Sequence, residues 1–233
     1  MNNFSPGLFG RSFGEVTMDY IHGIGRFIAP IFHIIALIII ILVIIQGGKK
    51  ARIFTIYFII NYLWLFIFVG LYISFLLFQK MGITFLFFWG PVPFLLFYIL
   101  LNWINELKSP KNNLDFDNIP LYRFVVLPVI LFGFWYPAYI WNFGFTFSYK
   151  DLLFSSFGLM PCPTTMVVLG LLTLKYPDVN KRLFYSLTLF SVMVGSAQIA
   201  IKYVPDYPLA FLGYYSLFLI ILDRINKNKK SSA

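Results

Sequence analysis

The chain has 233 residues, 60% of them hydrophobic and only 12% charged, with a formal net charge of +9. Soluble domains run at roughly 45–50% apolar and about 25% charged, so a soluble fold of this length could not hide this much apolar surface. The basic residues lie in short connections between apolar runs, where they meet anionic headgroups, and they form no stripe of the kind that binds nucleic acid.

The N-terminal 27 residues read as a short amphipathic helix on the outer surface. Ser12 and Glu15 have capping-box spacing, Phe13, Val16 and Tyr20 recur at helical spacing, and Gly23 is the expected stop. No basic start followed by an apolar core and a small-residue cleavage site is present, so no cleaved leader is expected.

A spanning helix needs about 20 mostly apolar residues. Seven stretches qualify: 28–46, 53–78, 83–104, 122–143, 152–174, 183–201 and 207–222. Their connections are short, which predicts one all-α polytopic bundle over 28–223 and a basic tail over 224–233.

Lys and Arg set the orientation, because cytoplasmic loops are enriched in them. One side carries Lys49, Lys50, Arg52, Lys108, Lys111, Arg123, Lys175, Lys181, Arg182, Arg224, Lys227, Lys229 and Lys230, thirteen in all. The other carries Arg11, Arg26, Lys80, Lys150 and Lys202. The bias alternates across seven segments and fails for six, which predicts the N-terminus outside and the C-terminus in the cytoplasm of a cell-membrane protein.

Prolines mark the outer ends of the inward-running helices. Pro30, Pro91 with Pro93, Pro161 with Pro163, and Pro205 with Pro208 each precede an apolar run. Proline suits a first helical turn, where its missing N–H costs nothing. Paired interruptions in corresponding segments also point to a transporter site, so Pro91, Pro93, Pro161 and Pro163 are candidate helix breaks beneath the outer surface. Pro128 and Pro137 fall within the fourth stretch and predict a kink. Gly70 with Ser74, and Ser191 with Gly195, have the small-xxx-small spacing of close helix contacts.

Three stretches resemble a family of prokaryotic multi-pass membrane proteins known only as a domain of unknown function. They are the twelve residues from Trp64 to Phe75; the run Phe157-Gly158-Leu159-Met160-Pro161-Cys162-Pro163-Thr164-Thr165, continuing through Gly170; and Gly195-Ser196-Ala197 followed by Val204-Pro205-Asp206. The resemblance implies a polytopic fold and places the Pro-Cys-Pro-Thr-Thr motif at the outer start of the fifth helix. It implies no activity.

Cys162, the single cysteine, excludes an internal disulfide. At a helix start a thiol ionises more readily and then binds soft metals or attacks electrophiles. The plain alternative is a small buried hydrophobe at a bend. Thr164 is placed to cap the helix and Thr165 follows it. His33, inside the first stretch, is a functional candidate by default, as a second metal ligand or a proton carrier, and the plain alternative is a neutral His bonded to a backbone carbonyl. Gln198, Asp206, Asn142, Asp151 and Lys202 fall near the outer ends of their segments, and Asn61 near the inner end. Asp115 with Asp117 reads as a solvated loop pair.

Metal-protease, nucleophile-elbow, phosphate-loop and Cys-x-x-Cys motifs are absent, so neither a conventional catalytic constellation nor a cofactor is expected. The leading expectation is a permease or binding protein for a small solute or soft metal ion. It would use an outward pit at Pro161–Thr165, with Cys162, Thr164, Thr165, His33, Gln198 and Asp206 as candidate binding residues. The alternatives are a non-catalytic membrane subunit that scaffolds a partner or a second copy, and an intramembrane enzyme using the Cys162 thiolate.

Overall fold

The computed structural model describes residues 15–231, leaving out 18, 84, 87, 88, 113, 117, 118 and 141–143. Ser12, Phe13, Asp117 and Asn142 therefore lie outside the described residues. Helices dominate, in the order α1 (Glu15–Gln46), α2 (Ala51–Met81), α3 (Pro91–Lys108), α4 (Leu121–Trp135), α5 (Pro161–Lys175), α6 (Lys181–Ala200) and α7 (Tyr207–Ser231). Among the described residues, four helical runs are long and apolar enough to cross a membrane: Glu15–Gln46, Ala51–Met81, Lys181–Ala200 and Val204–Asn228. Leu121–Trp135 and Pro161–Lys175 are apolar but shorter.

The apolar side chains divide between the interior and an outward belt. Ile31, Ile34, Ile35, Ile38, Ile41 and Ile45 of α1 are exposed, as are Phe94 and Phe97 of α3 and Phe211 and Phe218 of α7. Soluble monomers rarely expose contiguous apolar patches beyond a few hundred Å². Such a belt is compatible with a membrane protein.

α5 runs through the centre. Residues 161–174 are all buried, as a helix apolar on every face requires. Small residues bring its neighbours close. A Cβ on Gly170 would stand 2.4 Å from Ile130 of α4, and one on Gly133 of α4 would stand 2.7 Å from Met166 of α5. Thr173 bonds Ser216 of α7 at 3.1 Å, and Thr165 bonds Tyr62 of α2 at 3.0 Å. Both small-xxx-small pairs lie at helix contacts. Gly195 meets Ala210, Gly213 meets Ser191, and Gly70 meets Pro93 and Leu96.

Several expected boundaries shift. The fourth stretch holds helix only to Trp135: Tyr136 takes the left-handed conformation (φ 34°) and Pro137 supplies no N–H to continue. An antiparallel hairpin follows, β1 (Ala138–Ile140) with β2 (Gly144–Thr146), in which Tyr139 opposes Phe145. Pro137 thus ends the helix rather than kinking it. Pro128 sits in the first turn of the α-helical part, after a 3₁₀ segment Leu121–Val126. The fifth stretch begins its long helix only at Pro161, with a separate turn at Asp151–Phe154, because two prolines two apart suit a helix start and not an interior. The third begins at Pro91. Gly23 leaves helical geometry (φ −79°, ψ −111°), so one helix ends there, as expected, and a second follows directly across a kink.

The end of the bundle holding the C-terminus of α3 is fastened by a buried carboxylate. Glu106, 1% exposed, accepts the backbone N–H groups of Lys111 and Asn112 at 2.8 Å each and the Asn180 amide at 2.6 Å. Asn180 in turn caps α6 by accepting from Arg182 and Leu183. The helix end, the following loop and the start of α6 are thereby tied at one point.

Candidate functional site

The approach to α5 is a tight turn. Gly158 is left-handed (φ +77°), and a Cβ there would lie 2.7 Å from Phe32 and 3.2 Å from Asn61. Its carbonyl accepts from Asn61 Nδ2 at 3.0 Å. Thr164 closes the turn from the other side: its Oγ1 accepts the Gly158 N–H at 2.9 Å and donates to the Met160 carbonyl at 2.8 Å. Thr164 does not cap the helix as expected: the N-cap position is Met160, which has no side-chain cap, and Thr164 within the first turn ties the helix back to Gly158 and Met160. Thr165 is spent on Tyr62, and both threonines are fully buried. Their hydroxyls hold the helix start in place and do not line a pit.

Cys162 faces a cavity of about 210 Å³ that it shares with Gln198 and Asp206. The remaining walls come from Thr17, Ile21 and His22 of α1, Tyr136 and Pro137 after α4, Tyr139 of the hairpin, Tyr203, and Phe154, Ser155 and Ser156 ahead of α5. His22 is exposed, so the cavity reaches the surface at that rim.

Asp206 ends the 3₁₀ turn Val204–Asp206 that leads into α7, and is 2% exposed. Its carboxylate accepts the Tyr136 hydroxyl at 2.7 Å, and Cys162 lines the same cavity. Tyr203 lines the same cavity as Tyr136. The left-handed turn at Tyr136 is what returns that side chain toward α7. An acid at the N-terminal end of a helix is also favoured by the helix dipole.

His33 stands behind the cavity wall. It is fully buried, with Nδ1 2.8 Å from the Ala29 carbonyl and Nε2 2.9 Å from Ser155 Oγ. A carbonyl only accepts, so Nδ1 carries a proton, while Ser155 Oγ stands between Nε2 and the Phe134 carbonyl at 3.3 Å and accepts the Phe157 N–H. Phe134 and Phe157 pack edge-on at 5.3 and 5.1 Å. Both nitrogens are engaged, so His33 and Cys162 are not assembled as a metal pair. Among the described residues no cluster of three or more His, Cys, Asp or Glu is placed to hold a metal ion.

Of the sequence candidates, Cys162, Gln198 and Asp206 therefore meet in one cavity, His33 touches its Ser155 wall, and Thr164 and Thr165 support it. Pro161 and Pro163 shape it. Pro91 and Pro93 start α3 against Gly70 and do not line it. The tyrosines at 136, 139 and 203 and the Glu106 clasp carried no signal in the sequence: tyrosine is abundant here, with 15 copies, and their convergence is tertiary.

A helical bundle with an apolar exterior and a polar cavity at one helix start is the class this geometry defines. The chain belongs to a family of unknown function, DUF6064, whose model matches residues 12–231. Comparison with curated proteins and with solved structures gave no match.

Proposed function

We propose that the chain is a seven-span protein of the cell membrane, N-terminus outside and C-terminus cytoplasmic. In this reading it binds a small solute in a pit at the outer start of α5 and acts as a permease or binding protein. Residues 1–27 form the outer interfacial segment, 28–223 the membrane domain and 224–233 the cytoplasmic tail.

The observation that carries the reading is the cavity shared by Cys162, Gln198 and Asp206. Ionisable groups are costly in a membrane domain and face a pathway or a partner when present. The length of α5 supports it. Its 15 residues rise only about 22 Å, against a hydrocarbon core of about 30 Å, so a helix ending at the cytoplasmic Lys175 starts below the outer surface. The thirteen basic residues on the opposite side support the orientation. The soft-metal form of the reading gains no support from His33, whose two ring nitrogens are hydrogen-bonded and which does not line the cavity.

The test is alkylation of Cys162 in purified protein in lipid nanodiscs, followed by intact mass. N-ethylmaleimide should add once, slowly, and fluorescein maleimide only after denaturation, since the pit admits only a small reagent. Failure of both reagents before denaturation overturns the solute-pit reading.

A further inference from the structure

The walls of the cavity carry one sign of charge and several aromatic rings. Asp206 is the acid, 2% exposed, and the donor that reaches it, the Tyr136 hydroxyl, is neutral, as is the Cys162 side chain on the same wall. Among the described residues lining the cavity none is Lys or Arg, and His22 sits only at the exposed rim. A carboxylate in a low-dielectric site held by neutral donors alone lacks a counter-charge, and a ligand cation would supply one.

The rings fit the same guest. Tyr139 and Tyr203 stand 6.0 Å apart at 84°, so they form a corner, and Tyr136 and Phe154 line the same space. Aromatic faces attract cations through the ring quadrupole, and alkylammonium groups are the ions that fill such a corner. The cavity, about 210 Å³, holds several waters and is far larger than a monatomic cation needs. From this combination we infer that the ligand is a small organic ammonium ion, its positive head between Asp206 and the Tyr139–Tyr203 corner and its polar end toward Gln198. The inference rests on the reading of this cavity as a solute site.

Choline and its neutral carbon isostere, 3,3-dimethyl-1-butanol, separate charge from shape. Each is titrated calorimetrically into the full chain in nanodiscs. Choline should bind at least about tenfold tighter than the neutral alcohol, and Asp206→Asn should bring it down to the alcohol's level. Equal or tighter binding of the alcohol to the wild-type chain overturns the inference whatever the variant does, so the conclusion stands even if Asp206→Asn fails to fold. If neither compound binds while N-ethylmaleimide still reaches Cys162, the ammonium class is wrong and the pit survives. If neither binds and the maleimide fails as well, both readings fall.

Discussion

Gly158→Ala tests whether the turn into α5 is built as described. Two costs combine. Residue 158 sits at φ +77°, a conformation that costs an L side chain about 1–2 kcal/mol. The new methyl would stand 2.7 and 2.9 Å from Phe32 and 3.2 Å from Asn61, and Phe32 is wedged against Tyr57 and Trp64, so overpacking adds about 1–3 kcal/mol. The sum is about 2–5 kcal/mol. At roughly 2–4 °C per kcal/mol for a chain of this size, the thermal midpoint should fall by about 4–20 °C. Gly82→Ala serves as a comparison without crowding: φ is +58° and ψ −136° there and nothing lies within 4 Å, so its cost is of the backbone alone. Far-UV circular dichroism on nanodisc samples reads both. A Gly158→Ala midpoint equal to that of the wild-type chain would refute the packing argument.

Three further outcomes follow from the same contacts. Glu106→Gln keeps an acceptor for Lys111 and Asn112 but sets an amide N–H₂ against Asn180 Nδ2; chemical denaturation should report a loss of about 2 kcal/mol, and Glu106→Asp, too short to reach all three donors, should not restore it. Gly195→Leu would drive side-chain atoms into the Ala210 backbone, where even a Cβ stands 2.6 Å away, and should separate α6 from α7 and lower the yield of folded protein on size-exclusion chromatography. Lys80→Ala breaks an ion pair whose partners are 44% and 64% exposed, so its melting curve should lie within about 0.5 kcal/mol of wild type.

The helices were legible because a long apolar run needs only composition to declare itself. Each of the seven stretches holds one of the helices α1–α7. Where hydropathy misled, the residues were apolar in either state. Tyr136 to Ile140 reads as membrane helix and forms a reversal and a strand, with Pro137 the only local sign of a break. Leu152 to Phe154 is equally apolar, yet Pro161 and Pro163 decide where α5 starts. In the site, Cys162, Gln198 and Asp206 stood out as polar groups at the ends of apolar runs. That Asp206 would meet Tyr136, seventy positions earlier, depends on a left-handed residue that no spacing announces. The Glu106 clasp was hidden for the same reason: a Glu near a helix C-terminus reads as solvated until Asn112 and Asn180 are brought to it.

The central claim is that the cavity before α5 opens to the outside of a seven-span protein. Cys162 is the only thiol in the chain, so the side from which it reacts decides the matter without engineering. A small membrane-impermeant maleimide is applied to intact cells and, separately, to inside-out vesicles, with denatured protein as the reference. The account predicts modification in intact cells and none in inside-out vesicles. Modification only in the vesicles would reverse the orientation, and modification only after denaturation would make Cys162 a packed residue at a bend and remove the pit.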